Sequence, residues 1–124
     1  MGLKFYLCEK CGNLVEMVHE SGMPMRCCGQ QMTEIKPNTE DAAIEKHVPY
    51  VSIDDCVVNV VVGENEHPMT DDHYIKWIVI ETKQGTQRKM LKPGDSPKAC
   101  FVLCKGDELI STYSYCNLHG LWMK

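Results

Sequence analysis

The sequence lacks several features that define common classes of protein. Its 124 residues carry a formal net charge of −4, with no run of basic residues and no basic amphipathic helix. Nucleic acid and anionic membranes are therefore poor candidates for partners. The chain also has no apolar stretch of membrane-spanning length, and its first residues show no signal-peptide pattern. We therefore expect a cytoplasmic protein.

Cysteine, by contrast, is plentiful, with eight residues in the chain. In a secreted protein this number would suggest a disulfide scaffold, whereas in a cytoplasmic protein metal binding explains it better. The histidines support the same interpretation, because four of the five stand in unusual local contexts. The fifth, His19, has no such context and is expected to be a surface residue.

Short segments that are β-branched or that alternate apolar with polar residues predict an all-β protein in two parts. Residues 1–36 are too few to fold by apolar burial alone, since domains below roughly 40 residues usually need a metal or disulfides. The polar segment Lys36–Asp41 is the expected linker. Residues 37–124 carry closely spaced strands, which favour a sandwich or a barrel. The predicted strands are Leu3–Leu7, Asn13–Val18, Gln31–Ile35, Val48–Ile53, Cys56–Val62, Tyr74–Thr82, Gln87–Leu91, Cys100–Cys104 and Leu109–Tyr115.

The first four cysteines predict a closed metal site. Cys8 and Cys11 are three residues apart and precede Gly12, so the chain can turn back and bring both sulfurs to one ion. Cys27 and Cys28 are adjacent, and because neighbouring side chains in a strand point to opposite faces, this pair must lie on a bend. Four thiolates suit tetrahedral iron or zinc. A structural zinc ribbon and two disulfides are the alternatives, although zinc ribbons usually present two spaced pairs.

Five further residues, far apart in the sequence, predict a second metal site that is open. Imidazoles combined with a thiolate narrow the choice of metal toward iron, copper or zinc. Five ligands leave one position vacant on an octahedral ion, and catalytic metals keep such a position. The residues are His47, His67, His73, Cys116 and His119.

The segments that contain these residues resemble the superoxide reductases, specifically their two-iron desulfoferrodoxin class. The resemblance covers nearly the whole chain, and no ligand position departs from it. Each motif alone is weak, whereas the set in this order is specific. The matching segments are Cys8-x-x-Cys11 with Cys27-Cys28, Glu45-Lys46-His47-Val48-Pro49, His67-Pro68-Met69 with His73, Leu91-Lys92-Pro93-Gly94 and Cys116-Asn117-x-His119-Gly120.

This resemblance implies two domains, each with one iron ion. Residues 1–36 would form a desulforedoxin-like domain whose iron is bound by Cys8, Cys11, Cys27 and Cys28. Residues 37–124 would form an immunoglobulin-like β-sandwich or barrel. Its iron would have an axial thiolate from Cys116 and equatorial imidazoles from His47, His67, His73 and His119. The resemblance also implies a homodimer, an anaerobic or microaerophilic host and a rubredoxin-type electron donor.

The activity implied by the resemblance is superoxide reduction. One electron and two protons convert superoxide to hydrogen peroxide, and no dioxygen is released. Because the chain is net acidic, attraction of the superoxide anion must be local, and Lys46 beside His47 is its expected source. In the family pattern Glu45 occupies the vacant position once the iron is ferric and so helps to release the product. The alternatives are a non-catalytic iron electron-transfer protein or metal sensor, and a superoxide dismutase.

Three further expectations concern supporting residues. The backbone N–H groups of Asn117 and Leu118 are expected to hydrogen-bond the sulfur of the axial cysteine. Trp77 and Trp122 are expected in the core or against the imidazoles, shielding them. The remaining cysteines are expected to be buried and structural, since a buried free cysteine behaves as a small hydrophobe; they are Cys56, Cys100 and Cys104.

Overall fold

A computed structural model describes residues 2–124 of the protein, which divide into two compact units. The first unit ends at Lys36, and the second runs from Pro37 to Lys124. Met1, the first residue of the predicted 1–36 domain, lies outside the described residues. Strands dominate both units, which confirms the all-β prediction. Within the described part of the chain, no helix is long and apolar enough to cross a membrane.

The first unit is built from very short strands: β1 (Phe5–Leu7), β2 (Leu14–Glu16), β3 (Arg26–Cys27), β4 (Gln30–Gln31) and β5 (Thr33–Ile35). Three of them form an antiparallel sheet in the order β2-β1-β5, while β3 and β4 form a separate hairpin. Strands of two or three residues are too short to bury a core by themselves. This unit therefore needs another source of stability.

The second unit contains a one-turn helix and seven longer strands: α1 (Ile44–His47), β6 (Pro49–Asp54), β7 (Val57–Val62), β8 (Ile75–Thr82), β9 (Gly85–Met90), β10 (Lys98–Val102), β11 (Leu109–Cys116) and β12 (Gly120–Met123). They form two antiparallel sheets, one in the order β10-β7-β6 and the other in the order β12-β11-β8-β9. Two such sheets packed face to face make a β-sandwich, the architecture expected from the sequence.

The core of the second unit lies between its two sheets. Val58, Val60 and Val62 alternate along β7, and each is at most 1% exposed. From the other sheet, Ile78 and Ile80 are fully buried in the same cluster. Each such side chain contributes about 1.5–3 kcal/mol by leaving water. The core of the sandwich is therefore stabilised by apolar burial and does not need a metal.

The strand β12 was not predicted. It pairs with β11 in antiparallel register, from Tyr113 opposite Met123 to Cys116 opposite Gly120. Leu121 and Trp122 are adjacent, and both are buried, so the segment shows none of the alternation by which a half-buried strand is recognised. The consequence for the site is direct, because the β11–β12 hairpin holds the Cys116-to-His119 segment at its tip.

The helix α1 has no side-chain cap, and the neighbouring turn after β7 holds it in place. The N–H of Gly63 donates to the carbonyl of Val48 at 3.2 Å, and the N–H of Asn65 donates to that of Glu45 at 3.0 Å. Gly63 has a φ of +88°, and a Cβ there would lie 2.6 Å from the carbonyl oxygen of Lys46. Only glycine permits both this conformation and this approach.

Candidate metal centres

The first two cysteines lie on a tight turn. The N–H of Gly12 donates to the carbonyl of Cys8 at 2.8 Å, and the N–H of Cys8 donates to that of Asn13 at 2.9 Å. Gly12 has a φ of +83°, a left-handed conformation that glycine adopts without strain. The chain therefore turns back after Cys11, as the spacing predicts.

The adjacent cysteines lie on the predicted bend. Cys27 ends β3, and a two-residue loop of Cys28 and Gly29 leads into β4. Both loop residues have positive φ, at 54° and 77°, as in the type I′ turns that close tight hairpins. The turn brings the two sulfurs to the same side, with 3.9 Å between them.

The four sulfurs form one cluster, and all eight cysteines of the chain are free thiols rather than disulfides. The Sγ atoms of Cys8, Cys11, Cys27 and Cys28 lie within 4.8 Å of one another, and the closest recorded pair, Cys11 and Cys27, is 3.6 Å apart. Four sulfurs at this spacing surround a point at which each can reach one tetrahedral ion.

The pKa values within the cluster are pushed in opposite directions. The backbone N–H of Cys11 is the main cause that lowers the pKa of Cys8 to about 6. The neighbouring sulfurs, Cys11 first among them, raise the pKa of Cys28 to about 12. Four thiolates cannot share this space unless a cation offsets their charge. The donor set therefore fits a bound metal ion, and the metal would in turn hold the short strands together.

In the second unit, four histidine rings surround one point. Proceeding from His47 to His67, His73, His119 and back, successive ring centroids are 4.7, 4.5, 5.1 and 4.8 Å apart, with interplanar angles of 74° to 85°. The one recorded diagonal, between His47 and His73, is longer, at 6.2 Å. The rings thus stand edge to face in a square, the arrangement of four equatorial imidazoles.

Hydrogen bonds fix which nitrogen of two of these rings faces the centre. The Nδ1–H of His47 donates to the carbonyl of Ala43 at 2.8 Å, and the Nδ1–H of His67 donates to that of Pro68 at 2.7 Å. Their Nε2 atoms therefore carry the lone pairs. The Nε2 atoms of His67 and His73 are buried without any hydrogen-bond partner. Buried polar atoms without partners are costly, and a metal ion at the centre would satisfy both.

The remaining two donors complete this set. The Nδ1 of His119 lies 3.1 Å from the Nε2 of His47 and 3.9 Å from the Sγ of Cys116. The sulfur also belongs to a cluster in which the ligand atoms of His47, His67, His73 and Cys116 lie within 4.8 Å of one another. The structure therefore brings together all five residues that the sequence predicts for the second site.

Three imidazoles of this site have lowered pKa values, which favours the neutral form that binds metals. Burial is the main cause that lowers the pKa values of His47 and His73, and it lowers the pKa of His67 to about 4. Burial raises the pKa of the Cys116 thiol, and backbone N–H groups of Leu118 and His119 oppose this shift. The predicted hydrogen bond from the backbone N–H of Asn117 to the Cys116 sulfur was wrong, because this N–H donates to the carbonyl of Tyr74 at 3.2 Å.

The two tryptophans have different roles. Trp122 stacks on the His47 ring at 4.9 Å, and its Nε1–H donates to the carbonyl of His119 at 3.0 Å. It therefore shields the site, as expected. Trp77 is buried in the core, the other expected position, where it stacks on Tyr115 at 5.4 Å and lies under the guanidinium of Arg88, 4.7 Å away.

Glu45 and Lys46 lie exposed on α1, next to the buried ligand His47. Burial is the main cause of the lowered pKa of His73, but the positive charge of Lys46 lowers it further. The same charge also lowers the pKa of His47, whereas Glu45 raises it. The ammonium group of Lys46 is therefore close enough to act on two imidazoles of the square.

The other cysteines are not buried. Cys56, Cys100 and Cys104 are all exposed, so the prediction of a buried structural role was wrong. Cys56 lies in the turn before β7, outside the strand whose alternate residues face the core. Cys100 lies on the outward face of β10, beside the buried Phe101. None of the three belongs to either ligand cluster.

Both units match known protein families. The family described as "Desulfoferrodoxin, N-terminal domain" matches residues 2–35, and the family described as "Desulfoferrodoxin" matches residues 39–124. The chain belongs to the desulfoferrodoxin family. Desulfoferrodoxins bind two iron ions, and the four-cysteine and four-histidine, one-cysteine clusters fit that number.

Individual members of the family are similar over almost the whole chain. A desulfoferrodoxin from Syntrophotalea carbinolica is 44% identical over 97% of this chain and 94% of its own length. One from Nitratidesulfovibrio vulgaris is 42% identical over 96% and 93%. The crystal structure of the superoxide reductase from Treponema pallidum has a TM-score of 0.84 and 35% identity, covering 100% of this chain and 99% of that one. These similarities support an oxidoreductase.

Proposed function

We propose that this protein is a superoxide reductase, which converts superoxide to hydrogen peroxide at the histidine site without forming dioxygen. The observation that carries the proposal is the asymmetry of that site. Cys116 is fully buried, whereas His73 and His119 are partly exposed. A small anion can therefore approach from solvent past these two imidazoles rather than past the sulfur. Ferrous iron, when bound there, supplies the electron.

The proposed ligands of this iron are His47, His67, His73, His119 and Cys116. Four neutral imidazoles add no charge, and one thiolate adds a single negative charge, so the site with ferrous iron keeps a net charge of about +1 by formal counting. This residual positive charge favours an anionic substrate although the chain is net acidic. The backbone N–H groups of Leu118 and His119 at the sulfur would limit how much electron density the thiolate gives to a bound metal.

Lys46 and Glu45 are the proposed catalytic residues. The charge of Lys46 is felt at His47 and His73, which supports a role in attracting superoxide and in positioning a water that donates a proton. Glu45 precedes it on the same turn of helix and is exposed. We propose that its carboxylate helps to displace the product from the site.

The first unit, up to Lys36, is proposed to carry an iron bound by Cys8, Cys11, Cys27 and Cys28. A closed four-thiolate site offers no position to a substrate, so its role is structural or limited to one-electron transfer. We further propose a rubredoxin-like electron donor and a homodimer, both of which the resemblance to two-iron superoxide reductases implies. The three exposed cysteines outside both sites, none of them in a disulfide, support a cytoplasmic location.

The deciding experiment is a product count. Iron-loaded protein is reduced, mixed anaerobically with a known dose of superoxide, and both hydrogen peroxide and dioxygen are measured. One peroxide per superoxide with no dioxygen is the expected result. Half a peroxide and half a dioxygen would show a dismutase instead. No consumption above background would contradict both enzymes and favour an electron-transfer protein.

A further inference from the structure

The four imidazoles of the histidine site are not equally supported. The rings of His47 and His67 each donate a hydrogen bond from Nδ1 to a backbone carbonyl. No residue within 2–124 hydrogen-bonds a ring nitrogen of His73, whose Nε2 is buried without a partner. Besides its ring contacts with His67 and His119, at 4.5 and 5.1 Å, the hydrogen bonds that can position His73 are therefore those of the backbone around it.

The backbone around His73 lies in an exposed loop with little support of its own. Thr70 and His73 bond each other across a tight turn, with N-to-O distances of 2.9 and 3.3 Å. Asp71 and Asp72, between them, are exposed. Bonds within the loop fix its shape, and a backbone hydrogen bond at Met69 attaches its start to the sandwich. The segment on either side of His73 needs a further attachment.

The side chain of Asn117 makes that attachment on both sides of His73. Its Oδ1 accepts the N–H of Tyr74 at 2.9 Å, and its Nδ2 donates to the carbonyl of Asp72 at 2.9 Å. A third bond runs from the N–H of Asn117 to the carbonyl of Tyr74 at 3.2 Å. Asn117 follows Cys116 directly and stands two residues before His119, so one side chain connects the hairpin that carries two ligands to the loop that carries a third.

We propose that Asn117 is the positioning residue for His73. By bonding the residues on either side of His73, its amide keeps in the square an imidazole that has no ring hydrogen bond to a described residue. The amide thereby couples His73 to the hairpin that carries the ligands Cys116 and His119. The amide performs both bonds because it offers an acceptor and a donor at once. An effect of Asn117 on turnover rests on the proposed function, whereas an effect of Asn117 on metal retention does not depend on that function.

The test is Asn117→Leu in the full chain loaded with iron at both sites. Residues that orient metal ligands typically affect metal affinity by about 10- to 100-fold. We therefore expect iron loss from the histidine site to a chelator to become at least ten times easier, with a shifted thiolate-to-iron absorption band and an unchanged four-cysteine site. Asn117→Asp keeps the acceptor for Tyr74 and is expected to restore part of the retention.

Two controls keep the result specific. Asn59 is exposed on β7 and makes no side-chain hydrogen bond to a described residue, so Asn59→Leu is the same chemical change away from the site and should leave iron retention unchanged. If Asn117 acts through His73, its effect should largely disappear in a His73→Ala background, because mutations that remove one interaction are not additive.

Unchanged iron retention and absorption in Asn117→Leu would overturn the inference, as would full additivity with His73→Ala. A wild-type protein that consumes no superoxide, combined with weakened iron retention in Asn117→Leu, would contradict the proposed function while supporting the role of Asn117. The two proposals can therefore fail separately.

Discussion

The two metal centres of this chain differ in what holds their ligands in place. The cysteine cluster stands on two turns between strands of two or three residues, and Cys11 and Cys28 are exposed. The histidine centre stands at one end of a sandwich with its own apolar core, and His47 and His67 are 3% and 2% exposed. In the first unit the metal holds the fold, whereas in the second the fold holds the ligands.

The two centres also differ in the charge of their ligands. The first gathers four groups that become anions on metal binding. The backbone N–H of Cys11 is the main cause that lowers the pKa of Cys8, whereas the neighbouring sulfurs raise the pKa of Cys28. The second gathers imidazoles around one thiol, and burial lowers the pKa of the His67 ring to about 4. Without a metal, the first cluster has no bound cation among its four sulfurs, while the second leaves the Nε2 atoms of His67 and His73 buried without a hydrogen-bond partner.

Removal of both metals is expected to have the largest effect, and to separate the two units. A structural metal bound by thiolates contributes on the order of 10–16 kcal/mol to folding, so residues 2–36 should unfold and exchange their amide hydrogens freely. Residues 37–124 should keep the protection of their core strands. Hydrogen exchange read by mass spectrometry measures both units in one sample.

Cysteine variants provide the matched comparison for that experiment. Cys11→Ser should reproduce the loss of protection in residues 2–36 even with iron present, whereas Cys100→Ser, an exposed thiol outside both clusters, should not. Retained protection in the metal-free first unit would contradict the distinction drawn between the two centres.

The next largest effect is expected from Trp122→Ala. This indole is 1% exposed and packs on the His47 ring. Truncation of a buried tryptophan lowers the free energy of unfolding by about 3–5 kcal/mol, so the second unit should unfold at a lower urea concentration. Iron should also be lost more easily from the histidine site. Val102→Ala, at a position that is 59% exposed, should change the free energy of unfolding by less than about 0.5 kcal/mol. Similar shifts for both variants would be inconsistent with a core role for Trp122.

Acid should destabilise the metal-free second unit through its buried imidazoles. The folded pKa of His67 is about 4, below its ordinary value of 6.5. Above pH 6.5 this group is neutral in both the folded and the unfolded state. Between pH 6.5 and pH 4 only the unfolded chain takes up the proton, so the free energy of unfolding decreases as the pH is lowered. Urea unfolding followed by tryptophan fluorescence at several pH values measures this, since both tryptophans lie in the second unit.

The variant His67→Gln isolates this contribution from the titration of carboxylates, which both proteins share. The wild type should lose more stability than the variant between pH 6.5 and pH 4, and no further difference should develop below pH 4. Parallel curves for the two proteins would rule out the depressed pKa as the cause.

The smallest effect is expected from Lys46→Ala, and it should concern rate alone. Loss of one positive charge near the site should lower the second-order rate of superoxide capture by roughly ten-fold at most, and raised salt should remove the difference. Lys105→Ala removes the same charge from the turn between β10 and β11, at the opposite end of β11 from Cys116, and should have little effect. Equal rates for wild type and Lys46→Ala at low ionic strength would remove the steering role.

Local rules predicted much of this structure from the sequence. The Cys-x-x-Cys-Gly turn, the bend at Cys27 and Cys28, and the β-branched strand β7 each depend on a few neighbouring residues. The prediction of the histidine square depended on resemblance, because no local rule brings His47 and His119 together across 72 positions in the chain.

The failures came where a residue's environment depends on distant parts of the chain. The exposure of Cys56 and Cys100 follows from which face of β7 and β10 the opposite sheet covers. The strand β12 forms because β11 offers it a partner, and its own residues do not alternate. The role of Asn117 was hidden because its side chain acts on a loop more than forty residues earlier.

The glycine at the end of β7 has a consequence for how such proteins vary and how they can be engineered. Because a side chain at Gly63 would collide with the carbonyl of Lys46, any larger residue there must push the turn that carries Glu45, Lys46 and His47. A library of variants at the mouth of the site should therefore keep this glycine fixed and vary the exposed side chains of α1. Among sequences that share the ligands, the loss of this one residue would mark a site whose entrance has been rebuilt.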